Sequence, residues 1–153
     1  MSMRQIVVFK LGKEEYGIDI IKVVEIVHHQ EIRKVPETPN YIEGIVNLRG
    51  DIYPIYNLRT RFNMKSEQID EDTKIIIIKG EETDVGFIVD NVSEILNISE
   101  SEIEDAPSII ASRTEQEYIS GVAKEEGRMI VLLDIDKLVS DSDQNLIKKM
   151  LEE

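Results

Sequence analysis

The segment Tyr41-Ile42-Glu43-Gly44-Ile45-Val46-Asn47-Leu48-Arg49-Gly50-Asp51-Ile52-Tyr53-Pro54-Ile55-Tyr56-Asn57-Leu58-Arg59 decides how this chain folds. It holds two short runs rich in β-branched and aromatic residues, which read as strands by length and composition. Asn47 to Gly50 forms the tight turn between them, because Asn tolerates left-handed backbone angles and Gly takes them freely. Arg49 therefore projects at the tip of a hairpin. Slid by 77 residues, Gly44–Arg59 lies on Gly121–Asp136, with Gly44/Gly121 and Gly50/Gly127 identical and Ile52–Ile55 falling on Met129–Leu132.

Upstream of the hairpin a second offset applies. Slid by 69 residues, Ile6–Val27 lies on Ile75–Leu96 without a gap, and six of the 22 positions are identical. These are Ile6/Ile75, Lys10/Lys79, Gly17/Gly86, Val23/Val92, Glu25/Glu94 and Ile26/Ile95. Both matches keep one order: strand, turn, Gly, strand, Val-x-Glu-Ile, then Gly, turn, Gly, strand. The reading is a duplicated β unit, two pseudo-symmetric lobes packed together. Either half alone has too little core, so mutual burial must stabilise the pair. Helical patterns are scarce. Single turns are expected around Ile21–Glu25, Leu58–Phe62 and Ile135–Val139. A C-terminal helix is expected over Asp143–Leu151, with Asp143 as N-cap and Lys148 and Lys149 near its end. Breaks fall at Pro36 and Pro39, at Ser66–Thr73 and at Asp105–Ser108, and Ser99–Gln116 reads as loop.

The 153 residues carry a net charge of −13, no cysteine, 41% apolar and 32% charged residues. A phosphate backbone or an anionic membrane surface is repelled by that charge, since no basic patch is segregated from it. The lack of cysteine removes disulfides, thiolate metal sites and cysteine nucleophiles, and suits a reducing compartment. The N-terminus has no signal-peptide pattern, and the longest apolar run, Met129–Leu133, is far below the roughly 20 residues that span a bilayer. A soluble cytoplasmic protein is expected.

The case for an enzyme is weak. His28 and His29 are adjacent, so in a strand they point to opposite faces and cannot chelate one ion together. Asp134 and Asp136 share a strand face and could hold a hard cation, but no calcium-loop spacing surrounds them. Asp51, Asp90 and Asp134 could converge, though no spacing demands it. No phosphate-binding glycine loop, Gly-x-Ser-x-Gly element or alternation of strands with long helices occurs. No catalytic residue, cofactor or metal is assigned. A small-ligand or metal-binding β-barrel using Asp90 and Asp134 is the alternative function.

The stretch Gly44, Asn47-Leu48-Arg49-Gly50 and Pro54 resembles the signature of the CheW family, the coupling proteins of chemotaxis arrays. Val85–Leu96, Gly121-Val122-Ala123 and Gly127–Asp134 follow in the family's order, so the likeness runs from about Gln5 to Val139. The resemblance implies an all-β fold of two pseudo-symmetric SH3-like five-stranded β-barrels sharing a core, with short helices and the C-terminal helix. It implies one domain over 5–139, with lobes near 5–65 and 74–139 and a crossing of the chain between them left open, followed by a tail over 140–153. It also implies a non-enzymatic adaptor, recruited from the cytoplasm to receptor arrays. The adaptor couples the cytoplasmic tips of methyl-accepting chemotaxis receptors to the regulatory domain of the histidine kinase CheA. The kinase and coupling–receiver fusions carry the same domain in longer chains, so a free-standing coupler is the close match. Receptor contact would fall on Arg49, with Asn47, Gly44, Glu25 and Val23, and kinase contact on Ile42 and Glu43. Glu25 and Glu94 occupy equivalent positions, which suits a structural role in both, such as capping a turn; the family role would single out Glu25.

Overall fold

A computed structural model of the protein describes residues 3–65, 69–80, 83–105 and 118–139. The β-branched runs become strands. The first half holds β1 (Met3–Leu11), β2 (Glu14–Asp19), β3 (Val23–His28), β4 (Ile42–Leu48) and β5 (Asp51–Asn57). The second holds β6 (Lys74–Ile78), β7 (Val85–Val89), β8 (Asn91–Ser99), β9 (Ile103–Glu104), β10 (Ile119–Glu125) and β11 (Arg128–Leu133). Single turns of α-helix, α1 (Leu58–Arg61) and α2 (Ile135–Leu138), follow β5 and β11. Asn57 and Asp134 cap them by accepting from the backbone N–H of Thr60 and Lys137. A 3-10 turn, Ile20–Lys22, sits one residue ahead of the turn expected near Ile21. Ser99–Glu104 is ordered, not loop, because Ser99 caps a second 3-10 turn and β9 then pairs with β10. The expected C-terminal helix lies outside the described residues.

The strands form two sheets, ordered β8-β1-β2-β11-β10-β9 and β3-β6-β7-β5-β4. Under the two offsets these are the same sheet, apart from β9. The match extends to register. Val8 faces Gly17 across β1–β2, and their counterparts Ile77 and Gly86 face each other across β6–β7. The bulge between Ile42 and Gly44 on β4 recurs between Ile119 and Gly121 on β10. The parallel contact Ile55↔Gly86 recurs as Leu132↔Gly17. Even β9 has a rudimentary counterpart, since Arg33 bridges Ile45 on the open side of β4 as Glu104 meets Val122 on β10.

Neither sheet belongs to one half of the sequence. The β1–β2 pair joins β8, β9, β10 and β11, whereas β3, β4 and β5 join the β6–β7 pair. The boundary between sheets is thus not the acidic stretch near 66–73. The chain passes from one sheet to the other at Ile20–Lys22 and again at Asp90.

Burial follows the same symmetry. Ile6, Val8, Ala123 and Leu132 fill the six-stranded sheet's own core, and their counterparts Ile75, Ile77, Val46 and Ile55 fill the other. Each fully buried isoleucine contributes roughly 1.5–3 kcal/mol relative to exposure. A third, larger cluster is shared: Phe9 and Ile18 from one sheet meet Ile76, Tyr56 and Phe87 from the other, with Leu58 and Leu138 from the helical turns. The fold is therefore all-β, with two pseudo-symmetric lobes about a common core.

Candidate functional site

The hairpin of β4 and β5 ends in a two-residue turn, with Leu48 opposite Asp51 and both Arg49 (φ 54°) and Gly50 (φ 92°) left-handed. Such a turn matches the twist of its flanking strands. Asn47 contributes differently from what the sequence suggests. It stays within β4 and its Oδ1 accepts a hydrogen bond from Gly50 N at 3.0 Å. The left-handed strain falls on Arg49, a residue type that rarely adopts those angles.

Arg49 Nη2 donates to Glu25 Oε2 at 2.5 Å. The arginine side chain is 66% exposed and the glutamate 31%. The hydrogen bond that Arg49 donates to Glu25, and then the charge of Glu25, push the Arg49 guanidinium further above its already high ordinary pKa. Glu25 lies on β3 at one edge of the five-stranded sheet, and Arg49 lies at the hairpin tip from the opposite edge. The ion pair therefore requires a curled sheet. The six-stranded sheet is curled by an analogous link, in which Arg128 on β11 bonds Glu94 on β8 at 2.5 Å and Glu15 on β2 at 2.6 Å. Glu25 and Glu94 thus share a role in joining a sheet edge to a hairpin, and not turn capping. Their arginines differ in position: Arg49 stands at the turn tip, and Arg128 stands one residue past its turn.

Gly44 is fixed by packing. Its φ is +149°, and a Cβ there would lie 2.1 Å from the carbonyl oxygen of Arg33. Glycine lets the Arg33 backbone close on the β4 bulge. Val23 is half-buried against the shared core. Ile42 is 4% exposed and belongs to that core, whereas the neighbouring Glu43 is half-buried and reaches the surface. Glu43 Oε1 accepts from Asn57 Nδ2 at 2.7 Å, which ties the start of β4 to the cap of α1.

All seven candidate residues lie on the five-stranded sheet and its hairpin. A groove of about 360 Å3 adjoins them, lined by Gln30, Glu31, Arg33, Ile45, Asn47 and Ile52. Val24, Ile26 and Ile52 leave large apolar surface exposed in this region of the sequence. Composition alone gave no sign of the groove, because the 30–33 segment reads as irregular chain before the prolines.

The acidic residues of the alternative reading have partners of their own. Asp90 accepts from Arg59 through both oxygens and from Gly12 N at 2.7 Å. Burial raises the Asp90 pKa, but the hydrogen bonds from Arg59 and Gly12 outweigh it and hold the carboxyl below its ordinary range. Asp134 caps α2, and Asp136 pairs with Lys22 at 3.4 Å. His28 is exposed and His29 half-buried, and burial lowers the His29 pKa despite the nearby charge of Glu43. Among the described residues no three acidic or histidine side chains are grouped to hold a metal ion, and no helix is long and apolar enough to cross a membrane.

Comparison with known proteins agrees with the geometry. The family model described as CheW-like domain matches residues 5–143. The chain is 38% identical over 144 residues to the chemotaxis protein CheW of Klebsiella aerogenes, covering 94% of this chain and 86% of that one. It is 33% identical over 144 residues to the chemotaxis protein CheW of Bacillus subtilis, covering 94% and 92%. The crystal structure of the scaffolding protein CheW from Thermoanaerobacter tengcongensis superposes with a TM-score of 0.82 at 37% identity, covering 94% of this chain and 92% of that one. With the duplicated fold and the Asn-Leu-Arg-Gly hairpin in place, the chain belongs to the CheW-like family.

Proposed function

We propose that this protein is a non-catalytic cytoplasmic adaptor that couples the tips of methyl-accepting chemotaxis receptors to the regulatory domain of the histidine kinase CheA. The observation that carries the reading is Arg49, an exposed cation kept in a left-handed turn by Asn47 and Gly50 and aimed by Glu25. Evolving a strained arginine where asparagine or glycine fits better makes sense when the side chain is needed outside the fold. Its planar, multi-donor head suits a carboxylate or carbonyl at a helical receptor tip. Ile52, exposed on the same hairpin and lining the adjoining groove with Asn47, supplies apolar area for such a helix. Val23 and Gly44 support the same surface from beneath, and Glu43 at the start of β4 is the contact offered to the kinase. Dedicated protein partners for Asp90, Asp134 and Asp136 leave the metal-binding alternative without a distinctive feature.

The test is recruitment to receptor-containing membranes. Wild-type protein is expected to co-sediment with receptor, and Arg49→Ala, folded by circular dichroism, to lose at least tenfold in affinity. Undiminished recruitment of the folded variant contradicts the assignment of Arg49.

A further inference from the structure

The pseudo-symmetry fails where the helical turns meet the shared core. On the second-half side of the shared core, α2 delivers Leu138 and then Val139, both buried and aliphatic. The equivalent positions after β5 hold Arg61 and Phe62. Phe62 stacks on Tyr118 at 5.0 Å and tilts against Tyr16 of β2, so α1 reaches out of its own sheet into the other. The Arg61 guanidinium lies over two rings, 5.2 Å from the centroid of Tyr41 and 5.3 Å from that of Tyr118. Tyr41 and Tyr118 are themselves equivalent under the 77-residue offset. Each is seated by its carbonyl, which accepts from the amide of Asn57 (2.7 Å) or Asp134 (2.6 Å) at the end of its own sheet. One cation therefore bridges the same tyrosine of both lobes.

We infer that Arg61 is a cross-lobe clamp: by binding the symmetry-related Tyr41 and Tyr118 through their ring faces, it holds the two lobes at one fixed angle. An aliphatic residue, as at Leu138, would fill the space as well but would not select an orientation. A guanidinium lying over two rings is held by the directional attraction between cation and ring face. Arg61 Nε is shielded from solvent and has no hydrogen-bond partner among the described residues, which leaves the two rings to offset its burial. The clamp also touches the surface offered to partners. Tyr41 precedes Ile42 and Glu43, and Glu43 is bonded to Asn57, the cap of the same helical turn that carries Arg61. Resting on the adaptor reading above, the clamp is what lets a force on the five-stranded lobe be felt by the other.

The experiment is hydrogen exchange on the full chain, read at the amides of Asn57 and Asp134, in wild type, Arg61→Leu and Arg61→Lys. The leucine variant copies the opposite side of the core. It is expected to exchange at least tenfold faster at both amides, and the lysine variant to fall between. The response at Asp134 is decisive, because a purely local role for Arg61 in α1 would alter Asn57 alone. Unchanged protection at Asp134 overturns the clamp; if Arg61→Leu does not fold, the lysine variant decides by the same amide. This arm needs no partner, so its outcome is independent of the adaptor reading. In a reconstituted array, Arg61→Leu that retains both binary affinities is expected to lose receptor control of the kinase. Retained control overturns the transmitting role while the clamp itself stands.

Discussion

At the scale of single residues, the turn tip sets stability against recognition. Arg49 occupies left-handed space that asparagine or glycine enters more readily, and its ion pair with Glu25 is too exposed to offset much of that cost. Arg49→Asn is therefore expected to melt at an equal or higher temperature than wild type while binding receptor at least tenfold more weakly, as thermal denaturation and a co-sedimentation assay would read. A lower melting temperature would show that Arg49 is kept for the fold. Asp90 gives the opposite case, a charge kept for stability. Its carboxyl titrates lower in the folded state than the ordinary value of 3.8, so its contribution is complete above that pH and is lost as pH falls through the folded pKa. Asp90→Asn should destabilise the protein at pH 7 and flatten the decline of stability below about pH 4, when unfolding is followed by denaturant titration at several pH values. The place of Arg49 at a hairpin tip was legible from the Asn-x-Arg-Gly spacing, but its ion-pair partner was not. Glu25 and Glu94 look identical in sequence, and their arginines stand at unequal positions, Arg49 and Arg128, so the offset that exposed the repeat could not pair them.

At the scale of elements, the glycines report where strands press together. A Cβ on Gly17 would lie 2.4 Å from Ile6 Cγ2, and one on Gly86 2.6 Å from Ile55 Cδ1. Gly17→Ala and Gly86→Ala should each destabilise the fold by about 1–3 kcal/mol, the usual cost of overpacking, and by similar amounts because the sites are equivalent. Denaturant midpoints would measure this; a large inequality would contradict the equivalence. Gly44→Ala should cost more than either, because its Cβ meets a backbone carbonyl that cannot rotate away. The strands and the β4–β5 and β10–β11 hairpins could be read from short β-branched runs and turn chemistry. The β9 strand and the Arg33 bridge could not, because each is too short to show a period and lies beside polar or proline-rich chain.

At the scale of the whole molecule, the two halves of the sequence are interleaved. The duplication was visible in the two offsets, yet the exchange of strands was not. The β3 strand finds nearly the same partner surface on β1 as on β6, since Ile6 and Ile75, and Val8 and Ile77, are chemically alike. Sequence identifies equivalent strands but cannot choose among equivalent pairings; the short crossings at Ile20–Lys22 and Asp90 make that choice. One consequence is testable. Because each sheet needs strands from both halves, unfolding should be a single transition by circular dichroism and by tyrosine fluorescence alike, with no half surviving the other. Two resolved transitions would contradict the shared core.

The most direct test of the adaptor account is titration of isotope-labelled protein with the isolated regulatory domain of the CheA kinase from the same organism, followed by NMR. The account predicts saturable one-to-one binding, with perturbed amides gathered around Glu43 and the start of β4 on the five-stranded sheet. No binding by protein with a dispersed, folded spectrum would contradict it, and would mean that the chain shares the family's fold without its bridging role.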